Sequence, residues 1–209
     1  MTDNPLLLIV MIAASFYMIH IWRSDYQAAK AGHPEPRALP GATPASLTSC
    51  LIAAVGAILI LALETIGEIR LGLSAKQSSI TLLFGIYTLV AAFIEELIFR
   101  GFIVIENRGP VARWMGILGA SVLFALLHPF LWTWQDGWLW DTGRLELTPT
   151  AKGWFSTGMV FLASLWFYVM RFARFNPQRS LLPCFTAHAT KNLGVLVIKA
   201  VQGFVIGWW

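Results

Sequence analysis

Six apolar stretches, each close to the ~20 residues that cross a bilayer, take up most of the chain. The first runs from Pro5 to Trp22 and the second from about Leu47 to Ile66; the others begin near Ile80, Trp114, Trp154 and Leu181. None alternates apolar and polar residues as a barrel strand does. Backbone amides in hydrocarbon must find partners inside the protein, so each stretch predicts a helix. The expected fold class is therefore all-α: a polytopic membrane helix bundle of about six transmembrane helices around an intramembrane polar cavity. A single membrane domain over residues 1–209 is expected, with an N-terminal anchor helix and loop over 1–45 and a core over 46–209. The first stretch ends in Ile21-Trp22-Arg23 rather than at a small-residue cleavage site, which predicts an anchor and not a signal peptide. Pro34, Pro36, Pro40, Pro44, Gly32 and Gly41 mark the linker from Arg23 to Pro44 as an irregular surface loop, with a short interfacial helix at Asp25 to Ala31.

Composition narrows the class further. Apolar residues make up 57% of the chain and charged ones 12%, with a mean hydropathy of +0.66, which excludes a soluble domain and a disordered arm. The net charge of +4 comes from 15 Lys and Arg set singly in short loops, so no nucleic-acid partner is expected and the bilayer explains them better. Nine lie on one side (Arg23, Lys30, Arg37, Arg100, Arg108, Arg113, Arg171, Arg174, Arg179) and four on the other (Arg70, Lys76, Arg144, Lys152). The positive-inside rule makes the first side cytoplasmic and puts both termini outside. Trp132, Trp134, Trp138, Trp140, Trp154, Trp208 and Trp209 then gather at the outer interface. The expected location is the cytoplasmic membrane of a prokaryote. Cys50 and Cys184 lie inside apolar stretches and read as small buried hydrophobes rather than a disulfide.

The candidate chemistry lies inside the spans. The third reads from Thr88 through Glu95, Glu96 and Arg100, and the next turn signal is Asn107-Arg108-Gly109-Pro110. That spacing predicts a helix to about Asn107, with Glu95 near mid-membrane, where an ionisable group is costly and usually functional. Glu96 and Arg100 are i and i+4 and can form an ion pair on one face; a structural role for that pair is an equally good reading of Glu96. Glu95 is rotated about 100° away, the carboxyl left free to act as a general base. In the fourth span Phe124 and His128 precede Pro129, which predicts a kink beside the imidazole. An antiparallel hairpin turning near Gly109 would return His128 to the depth of Glu95. In the sixth span His188 and Asn192 are i and i+4 and face one neighbour. Lys191 and Lys199 read as snorkelling or meeting a carbonyl. Two carboxylates, two imidazoles and a carboxamide from three helices suffice to hold and deprotonate a water and to stabilise an oxyanion, which reads as hydrolysis.

These residues resemble the motifs of the CAAX-protease and bacteriocin-processing family, also called Abi or type II CAAX prenyl endopeptidases. The motifs are Glu-Glu-x-x-x-Arg at Glu95, Glu96 and Arg100, Phe-x-x-x-His at Phe124 and His128, and His-x-x-x-Asn at His188 and Asn192. The resemblance covers about residues 80 to 205 and leaves 1 to 45 outside. It implies a helix bundle with its cavity open to the cytoplasm and an intramembrane endopeptidase acting on a peptide or membrane-anchored precursor. Carried over, Glu95 would activate the water, His128 would help bind it, and His188 with Asn192 would position it or stabilise the oxyanion. Glu96, Arg100 and Phe124 would support the site. Nothing in the residues shows a prenyl-cysteine pocket.

No cofactor is expected, with one alternative: Glu95, His128 and His188 could supply the two-His-one-carboxylate set of a catalytic zinc. Two further readings stay open. One is a non-catalytic membrane protein of the same family, serving immunity or partner binding, whose polar cluster only fixes the bundle. The other is an ion or proton pathway, disfavoured because no second carboxylate relay toward either face is read from the sequence.

Overall fold

The computed structural model describes residues 4–135 and 143–209. Its helices are α1 (Pro5–Lys30), α2 (Leu47–Arg70), α3 (Leu82–Glu96, continued by a π-helical turn over Leu97–Phe102), α4 (Gly109–Leu127), α5 (Ala151–Phe172) and α6 (Leu182–Val201). Side-chain oxygens of Asn4, Ser46, Thr81 and Thr150 cap the first turns of α1, α2, α3 and α5, each satisfying an amide that the helix itself leaves unpaired. Pro110 and Pro183 open α4 and α6, where a missing amide costs nothing.

The chain is an integral membrane protein. Five helices, α1 to α5 with α3 counted through Phe102, are long and apolar enough to cross a bilayer. Their outward faces show Leu51, Val55, Leu59, Leu63, Met115 and Leu127, all more than half exposed, a surface suited to lipid. The sixth expected span, α6, falls outside that set because Lys191, Asn192 and Lys199 dilute it. It packs against α2, α3 and α5. A helix enclosed on three sides needs less apolarity than one facing lipid.

Several boundaries differ from those expected. α1 runs unbroken to Lys30, so Asp25 to Ala31 is the end of the anchor and not a separate interfacial helix. Nor is the linker after it a loose surface loop. Trp22 donates to the carbonyl of Pro40, the amide of Leu39 to Asp25, and the amide of Leu181 to the carbonyl of Gly41. Gly41 sits at φ +63°, and a Cβ there would lie 2.6 Å from Leu181 and 2.9 Å from Arg171, so the close approach requires glycine. Pro129 ends α4 rather than kinking it: His128 already has extended backbone (ψ 127°), as the residue before a proline prefers.

The all-helical reading also missed a small antiparallel hairpin, β1 (Trp132–Gln135) with β2 (Arg144–Leu147). The Arg-Leu-Glu-Leu alternation of β2 carries the period-2 signal of a strand. Trp138 and Trp140, two of the aromatic-belt residues, lie outside the described residues. In sidedness, Arg100 and Arg171 are buried in the bundle rather than set in loops. Removing them leaves seven cations against four. Beyond α6, the chain turns back to pair Val205 with Ile80. The carbonyls of Gly207 and Trp208 accept from the amides of Leu82 and Leu83, two unpaired donors of the first turn of α3.

Candidate active site

The π-helical turn arranges the third helix for chemistry. Its wider winding re-aims side chains and loosens the last carbonyls, a device common at functional sites. Side chains of α5 take up those carbonyls: Tyr168 donates to Phe99 at 2.6 Å and Ile103 at 3.2 Å, and Arg171 donates to Arg100 at 3.0 Å. These bonds end the helix at Phe102 instead of near Asn107. Glu95 therefore lies seven residues, roughly 10 Å, above the helix end, nearer the positively charged side than the sequence spacing predicts.

The two glutamates have opposite environments. Glu96 is fully buried and its Oε1 accepts from Arg100 at 3.0 Å, the expected i,i+4 pair. Arg100 is fully buried too; it also donates to the backbone oxygen of Ser164 at 3.1 Å and to its Oγ at 2.5 Å. Its guanidinium carbon lies 4.6 Å from the ring centre of Phe124, 4.7 Å from Tyr168 and 5.2 Å from Phe167. These π faces supply the electrostatic support that water would give elsewhere. Glu95, by contrast, has a side chain 35% exposed. It lines a cleft of about 300 Å³ between α1 and α3.

His188, buried on α6, joins the two carboxylates. Its Nδ1 lies 2.8 Å from Oε1 of Glu96 and its Nε2 lies 3.7 Å from Oε2 of Glu95. Oε1 of Glu96, which accepts from Arg100, also accepts here, so Nδ1 donates and Nε2 is turned to Glu95. The 3.7 Å gap is too long for a hydrogen bond and short enough for one water to touch both groups. Phe167 stacks on the imidazole at 4.8 Å between ring centres and fixes its plane.

His128 is oriented in the same way. Its Nδ1 lies 2.8 Å from the carbonyl oxygen of Phe124, an obligate acceptor, so Nδ1 carries the proton and Nε2 is left as an acceptor with no hydrogen bond among the described residues. α4 packs on α5 rather than along α3, and it reaches the site through Phe124. That ring stands 4.8 Å from His128, 4.9 Å from Phe99 and 6.0 Å from His188. Asn192, one turn beyond His188, donates from Nδ2 to the carbonyl of Thr88 at 2.9 Å. It thus faces α3 as His188 does, with one of its two N–H groups engaged there.

The structure adds residues that the sequence reading did not single out. Lys191 pairs with Glu64 of α2 at 2.8 Å instead of snorkelling, while Lys199 does meet a carbonyl, that of Ser78, at 2.5 Å. Glu68, one turn after Glu64, binds Lys152 and Gln77. α2 therefore carries a second pair of intramembrane acids, overlooked because they sit at the end of a strongly apolar run. Ser164, Phe167 and Tyr168 of α5 look like ordinary span residues in sequence and Arg171 like a loop cation, and only the packing of α5 against the π turn reveals their part. Cys184 is buried and free, and Cys50 is free as well.

Among the described residues, no group of three or more His, Cys, Asp or Glu side chains is disposed to hold a metal ion. In both His128 and His188 Nδ1 is already engaged, which leaves Nε2 as the nitrogen turned to a water or a metal.

A family model described as type II CAAX prenyl endopeptidase Rce1-like matches residues 77–194, more than half of the chain. The match contains all three motifs and omits α1 and α2. Comparison with curated proteins and with solved structures gives no match.

Proposed function

Because the chain belongs to the Rce1-like family of type II CAAX prenyl endopeptidases, we propose that it hydrolyses a peptide bond of a peptide or membrane-anchored precursor, with Glu95 activating the water. The observation that carries this reading is the placement of His188 between two unlike carboxylates, one sealed beside Arg100 and one open to the cleft. Glu96 holds the imidazole in one tautomer and one orientation, so its second nitrogen faces the space beside Glu95. His128, its Nδ1 tied to Phe124, presents Nε2 as a second holder of the same water.

In the proposed reaction Glu95 takes a proton from the water as the oxygen attacks the scissile carbonyl carbon. The carbonyl π pair moves onto oxygen, and the spare N–H of Asn192 donates to that oxyanion while Nε2 of His188 keeps the water in place for attack. Collapse breaks the C–N bond, and the proton held by Glu95 goes to the leaving amine. Atoms and charge balance without a metal, and we propose that none is needed. The short distance between Glu95 and Phe102 and the excess of cations on that side support a site opening to the cytoplasm.

The test is incubation of the purified protein in detergent with candidate peptides, with and without a strong chelator. New peptide termini at the same rate under both conditions are expected. Rate loss on chelation, restored by Zn²⁺, would replace the metal-free reading with the zinc set of Glu95, His128 and His188. Absence of cleavage across peptides and anchored precursors would favour a non-catalytic role.

A further inference from the structure

Between His188 and Asn192, the two α6 residues of the candidate site, lies a lysine whose charge is taken up by another helix. Lys191 is buried, and its ammonium sits 2.8 Å from Oε2 of Glu64 on α2, itself largely shielded from solvent. α2 and α6 are pressed together around that pair. A Cβ at Gly194, three residues past Lys191, would lie 2.2 Å from Leu61, three residues before Glu64, so Leu61 fills the place of a side chain there. An ammonium enclosed in a membrane bundle needs a carboxylate within reach. Of the three helices that α6 packs on, α5 contains no acid, whereas α2 and α3 each contain two.

Two of those four carboxylates are taken. Glu68 is bound by Lys152 and Gln77, and Glu96 is sealed against Arg100 and His188. Glu64 and Glu95 remain. Lys191 follows His188 by three residues, so the two side chains are neighbours on the helix surface, and the stem of Lys191 leans toward the N-terminus of α6, back toward His188. The imidazole in turn lies 3.7 Å from Glu95. A charge on a flexible four-carbon stem is thus set between Glu64 on one side and Glu95 on the other.

We propose that Glu64 is a positioning residue for the hydrolysis: it holds the ammonium of Lys191 on the α2 side and so keeps Glu95 unpaired and able to take a proton from the water. The inference rests on the role proposed for Glu95. A carboxylate locked to an ammonium is a poor base, because taking up a proton breaks the ion pair. Glu64 precedes the family match, which begins at residue 77, so this device comes from a helix outside the three motifs.

The test uses an asymmetry. Glu64→Gln and Lys191→Met break the same pair and should lower stability alike, as denaturant unfolding in detergent measures, but only the first leaves an ammonium without its partner. Glu64→Gln is expected to lower kcat about tenfold or more, toward the loss of a general base, with KM little changed. Lys191→Met and the double variant should keep kcat close to the native value. A readout independent of turnover comes from a carbodiimide, which condenses a paired carboxylate and amine into an amide and takes up the water released. Peptide mass spectrometry should find Lys191 joined to Glu64 in the native chain and to Glu95 in Glu64→Gln. Glu64→Asp keeps the charge but draws it back by one methylene; as the milder replacement it should divide the link between position 64 and Glu95 and give an intermediate kcat. Equal kcat losses in the two single variants, or no link from Lys191 to Glu95 in either Glu64 variant, overturn the positioning role. A link that moves to Glu95 while the native chain cleaves no peptide keeps the hold of Glu64 on Lys191 and overturns the catalytic reading instead.

Discussion

Glu95→Gln is expected to abolish measurable turnover, lowering kcat by roughly 10²- to 10⁴-fold, the range supplied by a positioned general base. The substitution keeps the shape of the side chain and its capacity to touch a water, but it removes the proton acceptor. KM should change little, because the amide still lines the cleft between α1 and α3. Glu96→Gln should behave differently although the residue is adjacent in sequence. It touches Arg100 and His188 and no part of the cleft lining, so its loss acts through the imidazole. Initial rates on a peptide cleaved by the native chain distinguish the two. A Glu95→Gln protein that folds and cleaves at near the native rate excludes this carboxyl as the base.

The second large effect is on stability. Arg100→Met should destabilise the protein by about 3–5 kcal/mol, the cost of leaving one member of a buried ion pair alone. Both side chains of the pair are fully buried, so solvent screening offers no discount. Methionine approximates the volume between Phe124, Phe167 and Tyr168 but leaves Glu96 with only His188 to balance it. Glu96→Gln added to Arg100→Met should recover most of the loss, since no unpaired charge then remains. Denaturant unfolding in detergent measures all three proteins. Equal stability of Arg100→Met and the native chain would contradict the pairing.

The contrast between these two neighbours shows how far the sequence could be read. The i,i+4 spacing of Glu96 and Arg100 is a local property of a helix, so their pairing is legible, and so is the turning of Glu95 away from Arg100 by the same rotation. His188 and Asn192 facing one helix was legible for the same reason. The end of α3 was not, because it is decided by Tyr168 and Arg171, which reach it from some 70 residues away. Nor can spacing show that α4 packs on α5 and not along α3, the pairing that a hairpin at Gly109 predicts for His128. The pairing of Lys191 with Glu64 is not legible because it links α2 to α6 across 127 residues. The part played by α1 in the cleft was hidden for a similar reason. Ala14 and Met18 carry no chemical signal, and only the packing of α1 on α3 brings them to Glu95. What local periodicity governs was readable; what long-range packing governs was not.

The account stands on Glu95 and His188 acting on one shared water. A double-mutant cycle tests this most directly: kcat/KM is measured for the native chain, Glu95→Gln, His188→Ala and the double variant on one peptide. Groups that act as a unit are strongly non-additive. The double variant is expected to be no slower than the slower single variant. Rate losses that multiply, as for independent groups, would show that the two side chains do not serve the same step and would contradict the account.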